Sequence, residues 1–252
     1  MTDLAVVAIG LGVIPLAAIL LYSLRDLVLA HREPIWGFLA GVLAFLALGH
    51  AMAAVLVNKS LFGDAAIAIA VGFVGLAVGA GIAWSLLEGP FIRREPDRIL
   101  WVAVAFLVLH SFGDGLVLGR DFVGGIVPSI QVDGVTISAT VTHRFVEGCL
   151  VVVPAIWATW KARPAFALLL VSFASVLGAY IPGAVFGAYG GALRSLVQVA
   201  IPTFLAAIEA TLGLLLLARG FLPIAAADRG NRWPWWTAVG FIAISLVHFF
   251  VE

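Results

Sequence analysis

The sequence has little charge, and its charges balance. Only 11% of the 252 residues are charged, whereas 63% are hydrophobic, and the mean hydropathy is +1.15. Soluble globular domains carry about 25% charged residues, so this class of protein is excluded. Lys and Arg number 14, as do Asp and Glu. The net charge of zero identifies no partner, and we expect no nucleic acid partner.

Cysteine is almost absent as well. The single cysteine, Cys149, lies inside an apolar stretch. One cysteine excludes an internal disulfide, and it carries no information on the redox compartment. The connectors between apolar stretches are short, and they leave no room for a soluble domain. We therefore treat 1–252 as a single transmembrane domain.

Long apolar stretches dominate the rest of the sequence. About 20 apolar residues in a helix cross the roughly 30 Å hydrocarbon core of a bilayer. Stretches of this length recur along the chain and predict an all-α polytopic membrane protein embedded in a lipid bilayer. The eight predicted spans are about 4–24, 35–57, 64–87, 99–119, 138–160, 165–187, 196–217 and 234–251.

The basic residues predict the orientation. Ten Lys and Arg residues lie in the connectors after spans 1, 3, 5 and 7, and three lie in the connectors on the opposite side. Positively charged connectors are usually cytoplasmic. We expect a protein of the cytoplasmic (plasma) membrane with both termini extracytoplasmic.

Spans 2 and 7 resemble each other. The segment FLALGHAMAAVL (45–56) aligns without gaps with FLAAIEATLGLL (204–215), and His50 then falls opposite Glu209. An inverted repeat of spans 1–3 and 6–8, with spans 4 and 5 between them, would produce such a match. Coincidence between two helices rich in Ala and Leu would also produce it. The sequence leaves both explanations open.

Spans 4 and 5 each contain a histidine followed four residues later by an acid and then a glycine. The pairs are His110 with Asp114 and His143 with Glu147. Residues at i and i+4 share one face of a helix. Because the spans are antiparallel, we expect His110 level with Glu147 and Asp114 level with His143. The glycines after the pairs would let the two spans approach closely.

These four side chains suit a divalent transition metal. Ionisable groups inside a membrane are costly and often functional. Two carboxylates carry a charge of −2, which one dication neutralises, and imidazole with carboxylate suits Zn²⁺, Fe²⁺ or Mn²⁺. An interhelical hydrogen bond is the structural alternative for a single pair. We assign His50, Glu209 and Arg144 as accessory or relay residues, and we expect His31 and His248 to be peripheral.

At these residues the sequence resembles the ZIP (Zrt/Irt-like) family of divalent metal transporters. HSFGDG (110–115) matches the span-4 signature of that family, and HRFVEG (143–148) keeps the His, Glu and Gly of the span-5 signature. The resemblance implies eight spans with extracytoplasmic termini. It also implies a transport site formed by His110, Asp114, His143 and Glu147, with Ser111 at a secondary ligand position.

Two departures from the family pattern bear on its activity. Ser175 and Arg144 stand at positions that are often ligands in the family. They suggest either a variant with a single metal site or a divergent member whose activity has changed, and they leave open whether transport is retained. The sequence also leaves open which metal is carried, how transport is coupled to protons, and whether the chain forms a homodimer.

The sequence thus predicts a transporter that carries a divalent transition metal, with Zn²⁺ as the leading candidate, into the cytoplasm. The metal is then a transported substrate, and we expect no enzymatic activity. The alternative is a membrane-embedded zinc-dependent hydrolase, with the same histidines and acids as zinc ligands and general base. The two functions use the same residues, so the sequence discriminates poorly between them.

Overall fold

The computed structural model describes residues 3–62, 65–124, 134–188, 200–227 and 230–251, and within these ranges the regular secondary structure is helical. The helices are α1 (Asp3–Ser23), α2 (Arg25–Ala30), α3 (Arg32–Phe62), α4 (Ala65–Leu87), α5 (Glu95–Gly124), α6 (Gly134–Trp157), α7 (Ala162–Ala188), α8 (Ile201–Leu216), α9 (Leu222–Ala226) and α10 (Trp233–Val251). A π-helical turn, Leu217–Phe221, joins α8 to α9.

The apolar helices coincide with the predicted spans. Among the described residues, six helices are long and apolar enough to cross a membrane, and the first and last predicted spans correspond to the shorter apolar stretches Gly12–Ser23 and Trp233–Phe249. Many large apolar side chains on the outside of the bundle are exposed, as lipid-facing residues would be. The all-helical architecture and the integral membrane character are therefore confirmed.

The seventh predicted span differs most from the structure. The sequence predicts this span at about 196–217, of which 196–199 lie outside the described residues. The helical path instead continues through the π-helical turn and α9 to Ala226. Arg219 stays exposed within that turn and donates a hydrogen bond to Glu88 at the end of α4. A single charged residue at the rim of the bundle is thus satisfied without ending the helix.

The glycines of spans 4 and 5 pack against helices other than the predicted ones. Gly115 and Gly119 lie against the backbone of α7, and Gly148 lies against Ile14 and Ala17 of α1. A Cβ atom at Gly115 or Gly148 would come within 3.0 Å of these neighbours. The two glycine faces therefore hold α5 against α7 and α6 against α1, and the prediction that they let spans 4 and 5 approach each other was wrong.

An apolar core separates two cavities at opposite ends of the bundle. One cavity, of about 500 Å³, is lined by Arg32, Trp157 and Arg219 among others. The other, of about 380 Å³, is lined by the histidines described below. Between them lie fully buried side chains that include Trp36 and Phe106, and Trp36 packs on its aromatic neighbours with ring centroids 4.8 and 6.1 Å away. The histidine site is therefore closed on one side by packed apolar groups.

Candidate metal centre

His110 is the centre of the polar cluster. It lies on α5, where the helix passes through the middle of the bundle and contacts α6, α7 and α8. Its side chain is buried, and each of its two ring nitrogens faces a different buried carboxylate. Because α6 and α8 supply these carboxylates from opposite sides, one imidazole joins two groups of ligand-type side chains.

The first group consists of His110, His143 and Glu147. The Nε2 atom of His110 lies 2.9 Å from Oε1 of Glu147, and Nε2 of His143 approaches the same oxygen at 2.5 Å. Glu147 is only 1% exposed. One ligand atom from each residue lies within 4.8 Å of the others, so the three could hold a metal ion. His110 and Glu147 meet as the antiparallel arrangement of spans 4 and 5 predicts.

The second group consists of His50, His110 and Glu209. The Nδ1 atoms of His50 and His110 each lie 3.2 Å from Oε2 of Glu209. Glu209 is 2% exposed, and its ligand atom with those of the two histidines also satisfies the 4.8 Å condition for a metal site. The sequence assigned His50 and Glu209 only an accessory role. In the structure Glu209 contacts both His50 and His110.

Asp114 lies at the edge of the first group. Its Oδ2 atom is 3.8 Å from Nε2 of His110, and Arg144 donates a hydrogen bond to that oxygen at 2.7 Å. Arg144 also donates to Oε2 of Glu147 at 2.9 Å. The guanidinium group thus bridges the two carboxylates. The structure brings together three of the four predicted ligands, whereas the fourth, Asp114, forms an ion pair with Arg144.

The charges of the cluster leave an excess of two negative charges. Three carboxylates, those of Asp114, Glu147 and Glu209, face one guanidinium, that of Arg144, and the imidazoles are neutral in the ligating state. Buried charge is tolerated when it is paired, and an uncompensated charge in a low-dielectric interior is costly. One dication would bring the described charges of the cluster to zero.

The cluster lines the 380 Å³ cavity. His50, His110, His143 and Arg144 all contribute to its wall. The wall also includes His248, whose ring centroid lies 4.6 Å from that of His143. His248 was expected to be peripheral, and that prediction was wrong because α10 packs against α6 and turns this residue towards the cluster. His31, in contrast, is exposed and does not line this cavity.

Phe106 forms the closed side of the site. Its ring is fully buried and stacks nearly parallel to that of His110, with centroids 6.1 Å apart. Sequence reasoning did not single out this residue. The signal was present, because Phe106 precedes His110 by four positions and so lies on the same face of α5. The Phe106 ring therefore covers the face of His110 that an ion in the cavity does not reach.

The two serines discussed in the sequence differ in environment. The single O–H of Ser175 in α7 has two backbone carbonyl acceptors within reach, that of Val108 at 3.1 Å and that of Ser172. It therefore links α7 to α5 through main-chain contacts. Ser111 is fully buried, and its hydroxyl group has no hydrogen-bond partner among the described residues. Neither serine belongs to the two three-residue groups found among the described residues.

Comparison with known proteins assigns no family. No protein-family model matches the chain, and no curated protein matches it. The resemblance to the ZIP family rests on the motif residues of α5 and α6 and on the predicted eight-span topology.

Proposed function

We propose that the protein transports a divalent transition metal, with Zn²⁺ the leading candidate, across the membrane. One observation carries the proposal: inside a bundle of apolar helices, three histidines that line a cavity converge on two buried glutamates. Neutral imidazole and carboxylate are the ligands of Zn²⁺, Fe²⁺ and Mn²⁺, whereas Ca²⁺ prefers sites built from oxygen alone. A site without thiolate also releases its ion more readily than a structural cysteine site.

The helix contacts support a 3+2+3 inverted repeat. In such a repeat α1, α3 and α4 correspond to α7, α8 and α10, and α5 corresponds to α6. The contact of α1 with α6 then corresponds to that of α7 with α5, and the contact of α3 with α10 to that of α8 with α4. The contact of α4 with α5 corresponds to that of α10 with α6, and the contact of α5 with α8 to that of α6 with α3. All of these contacts occur. The contact between α3 and α4 lacks an equally extensive counterpart.

Close helix approaches follow the same correspondence. Gly79 of α4 lies against the backbone of Ile208 in α8, and Gly240 of α10 lies against the backbone of Phe38 in α3. Inverted repeats commonly place a substrate site at the repeat interface near the bilayer midplane. The contact between His50 and Glu209, the two residues that the repeat relates, supports a site at that interface.

The two cavities support alternating access. The histidine cavity lies towards the C-terminal end of α3 and the N-terminal end of α6, and the second cavity lies at the opposite end. The Arg-rich connectors adjoin the second cavity, so the positive-inside rule makes that side cytoplasmic. The present conformation is then open to the outside and closed inwardly. We infer import across the cytoplasmic membrane, with both termini extracytoplasmic.

These features agree with a divergent ZIP-like carrier that holds a single ion. Arg144 occupies the position where a second dication would bridge Asp114 and Glu147. A guanidinium there supplies one permanent positive charge and leaves the described cluster at −2, the charge that one dication neutralises.

Metal flux into proteoliposomes tests the proposal. Purified protein is reconstituted with a metal-sensitive dye inside the vesicles, and Zn²⁺, Mn²⁺ or Ca²⁺ is added outside. We expect uptake of the transition metals in preference to Ca²⁺. His110→Ala removes the imidazole common to both ligand groups, and we expect its uptake to fall by roughly 10–100-fold or more, since even outer ligand-orienting partners contribute that much to affinity.

His31→Ala is the matched control, since it makes the same substitution at an exposed histidine outside the cluster. It should transport at the rate of the unaltered protein. Equal uptake by the unaltered protein and His110→Ala, or uptake no faster than in empty vesicles, would refute the proposed site.

A further inference from the structure

We propose that His50, His110 and Glu209 form a second cation position that exchanges with the one formed by His110, His143 and Glu147, so that a single ion occupies one or the other. The inference rests on the proposed function, because it describes how a carried ion moves within the site. The proposed site thereby gains a second binding position, and the two nitrogens of the His110 ring serve different positions.

His110 faces two carboxylates but can donate only one hydrogen bond. A neutral imidazole has one N–H donor and one nitrogen lone pair. Nε2 of His110 lies 2.9 Å from Glu147, and Nδ1 lies 3.2 Å from Glu209. His110 can therefore donate to one glutamate only, and its lone pair then faces the other carboxylate. A cation between that lone pair and the carboxylate turns this repulsive contact into two coordinate bonds.

The two proposed cation positions are similar in geometry. In each, two imidazole nitrogens approach the same carboxylate oxygen: His110 and His143 at Oε1 of Glu147, and His50 and His110 at Oε2 of Glu209. A metal-bound histidine usually donates its other N–H to a carboxylate, which fixes the ring. With the ion beside Glu147, Glu209 takes that orienting role. With the ion beside Glu209, Glu147 takes it.

Binding of one ion excludes a second ion from the cluster. Ligation through Nε2 requires the proton on Nδ1, and ligation through Nδ1 requires the proton on Nε2. A neutral His110 therefore serves one position at a time. The charges lead to the same limit, because the described carboxylates and Arg144 sum to −2, and two dications would leave +2 in a buried cluster.

Transfer between the positions conserves protons. When the ion leaves Nε2 and binds Nδ1, Nδ1 releases its proton to solvent in the cavity and Nε2 takes one up from it. His50 and His110 both line the cavity, which gives this exchange a route. The ion gains Glu209 and His50 as ligands while it loses Glu147 and His143. The lone pairs of the two nitrogens point to different sides of the ring, so the ion leaves one nitrogen of His110 before it binds the other.

Zinc binding to the full-length protein in lipid nanodiscs tests the inference. Equilibrium dialysis with metal analysis gives the number of Zn²⁺ ions per chain, and ¹⁵N NMR of histidine-labelled protein identifies the metal-bound nitrogen of His110. His143→Ala removes one ligand from the first position only, and His50→Ala removes one from the second only. His143→Gln and His50→Gln repeat the test with polar side chains, and His31→Ala is the control.

We expect one ion per chain in the unaltered protein and in each single variant, and none in His110→Ala or in the double variant of His50 and His143. The metal-bound nitrogen of His110 should be Nδ1 in His143→Ala and Nε2 in His50→Ala. Two ions in the unaltered protein, loss of the ion in either single variant, or the same nitrogen in both would overturn the inference while leaving transport intact. Absence of zinc from the unaltered protein would instead refute the proposed function itself.

Discussion

Removal of the Arg144 guanidinium is the perturbation that tests the electrostatics of the site most directly. Arg144 holds Asp114 and Glu147 at 2.7 and 2.9 Å, so it competes with a metal ion for both carboxylates. Arg144→Met keeps much of the side-chain volume and removes the charge. We expect this variant to bind Zn²⁺ more tightly and to release it more slowly.

The magnitude follows from the shared carboxylate. A metal ion on one oxygen of Glu147 and a guanidinium on the other lie about 6 Å apart, and at an effective dielectric constant of about 20 their repulsion is roughly 5 kcal/mol. The loss of a partner for Asp114 and local rearrangement offset part of this gain. We therefore expect the dissociation constant of Zn²⁺ to fall at least about tenfold, which corresponds to roughly 1.4 kcal/mol.

The assay is competition with a zinc-binding dye of known affinity, followed by thermal unfolding with and without Zn²⁺. The metal-free variant should be less stable than the unaltered protein, because the half-buried Asp114 and the buried Glu147 both lose the guanidinium. Zn²⁺ should raise the stability of the variant more than it raises that of the unaltered protein. Arg144→Lys keeps the charge and should bind Zn²⁺ nearly as the unaltered protein does. Unchanged or weaker binding by Arg144→Met would refute this account of Arg144.

Three further predictions concern packing, ligation and orientation. Gly115→Ala should lower stability by about 1–3 kcal/mol through overpacking against α7, whereas Gly178→Ala, where the added methyl group meets open space, should change it little in the same thermal unfolding assay. Ser175→Ala should cost about 1 kcal/mol of stability, the value of a hydrogen bond, and leave Zn²⁺ affinity unchanged; a large loss of affinity would make this residue a ligand. In a variant with Cys149 replaced by Ala, a cysteine introduced at the exposed Phe91 should react with an impermeant maleimide only after cells are permeabilised; labelling of intact cells would reverse the orientation.

The local part of the site could be predicted from the sequence. Helical periodicity alone puts His110 on one face with Asp114 and puts His143 on one face with Glu147, and antiparallel spans bring His110 level with Glu147. The membrane class follows from the hydropathy of the stretches, because a bilayer admits only helices whose backbone groups are satisfied internally. These properties depend on residues close together in the chain.

The long-range part of the site depended on tertiary packing. Glu209 is 99 positions from His110, and no local pattern reveals that α8 presents it to the second nitrogen of that ring. Likewise, the sequence predicts Asp114 level with His143, but in the structure Asp114 pairs with Arg144. The sequence of a helix determines which residues share a face, but the rotation and depth of that face are set by the helices packed around it.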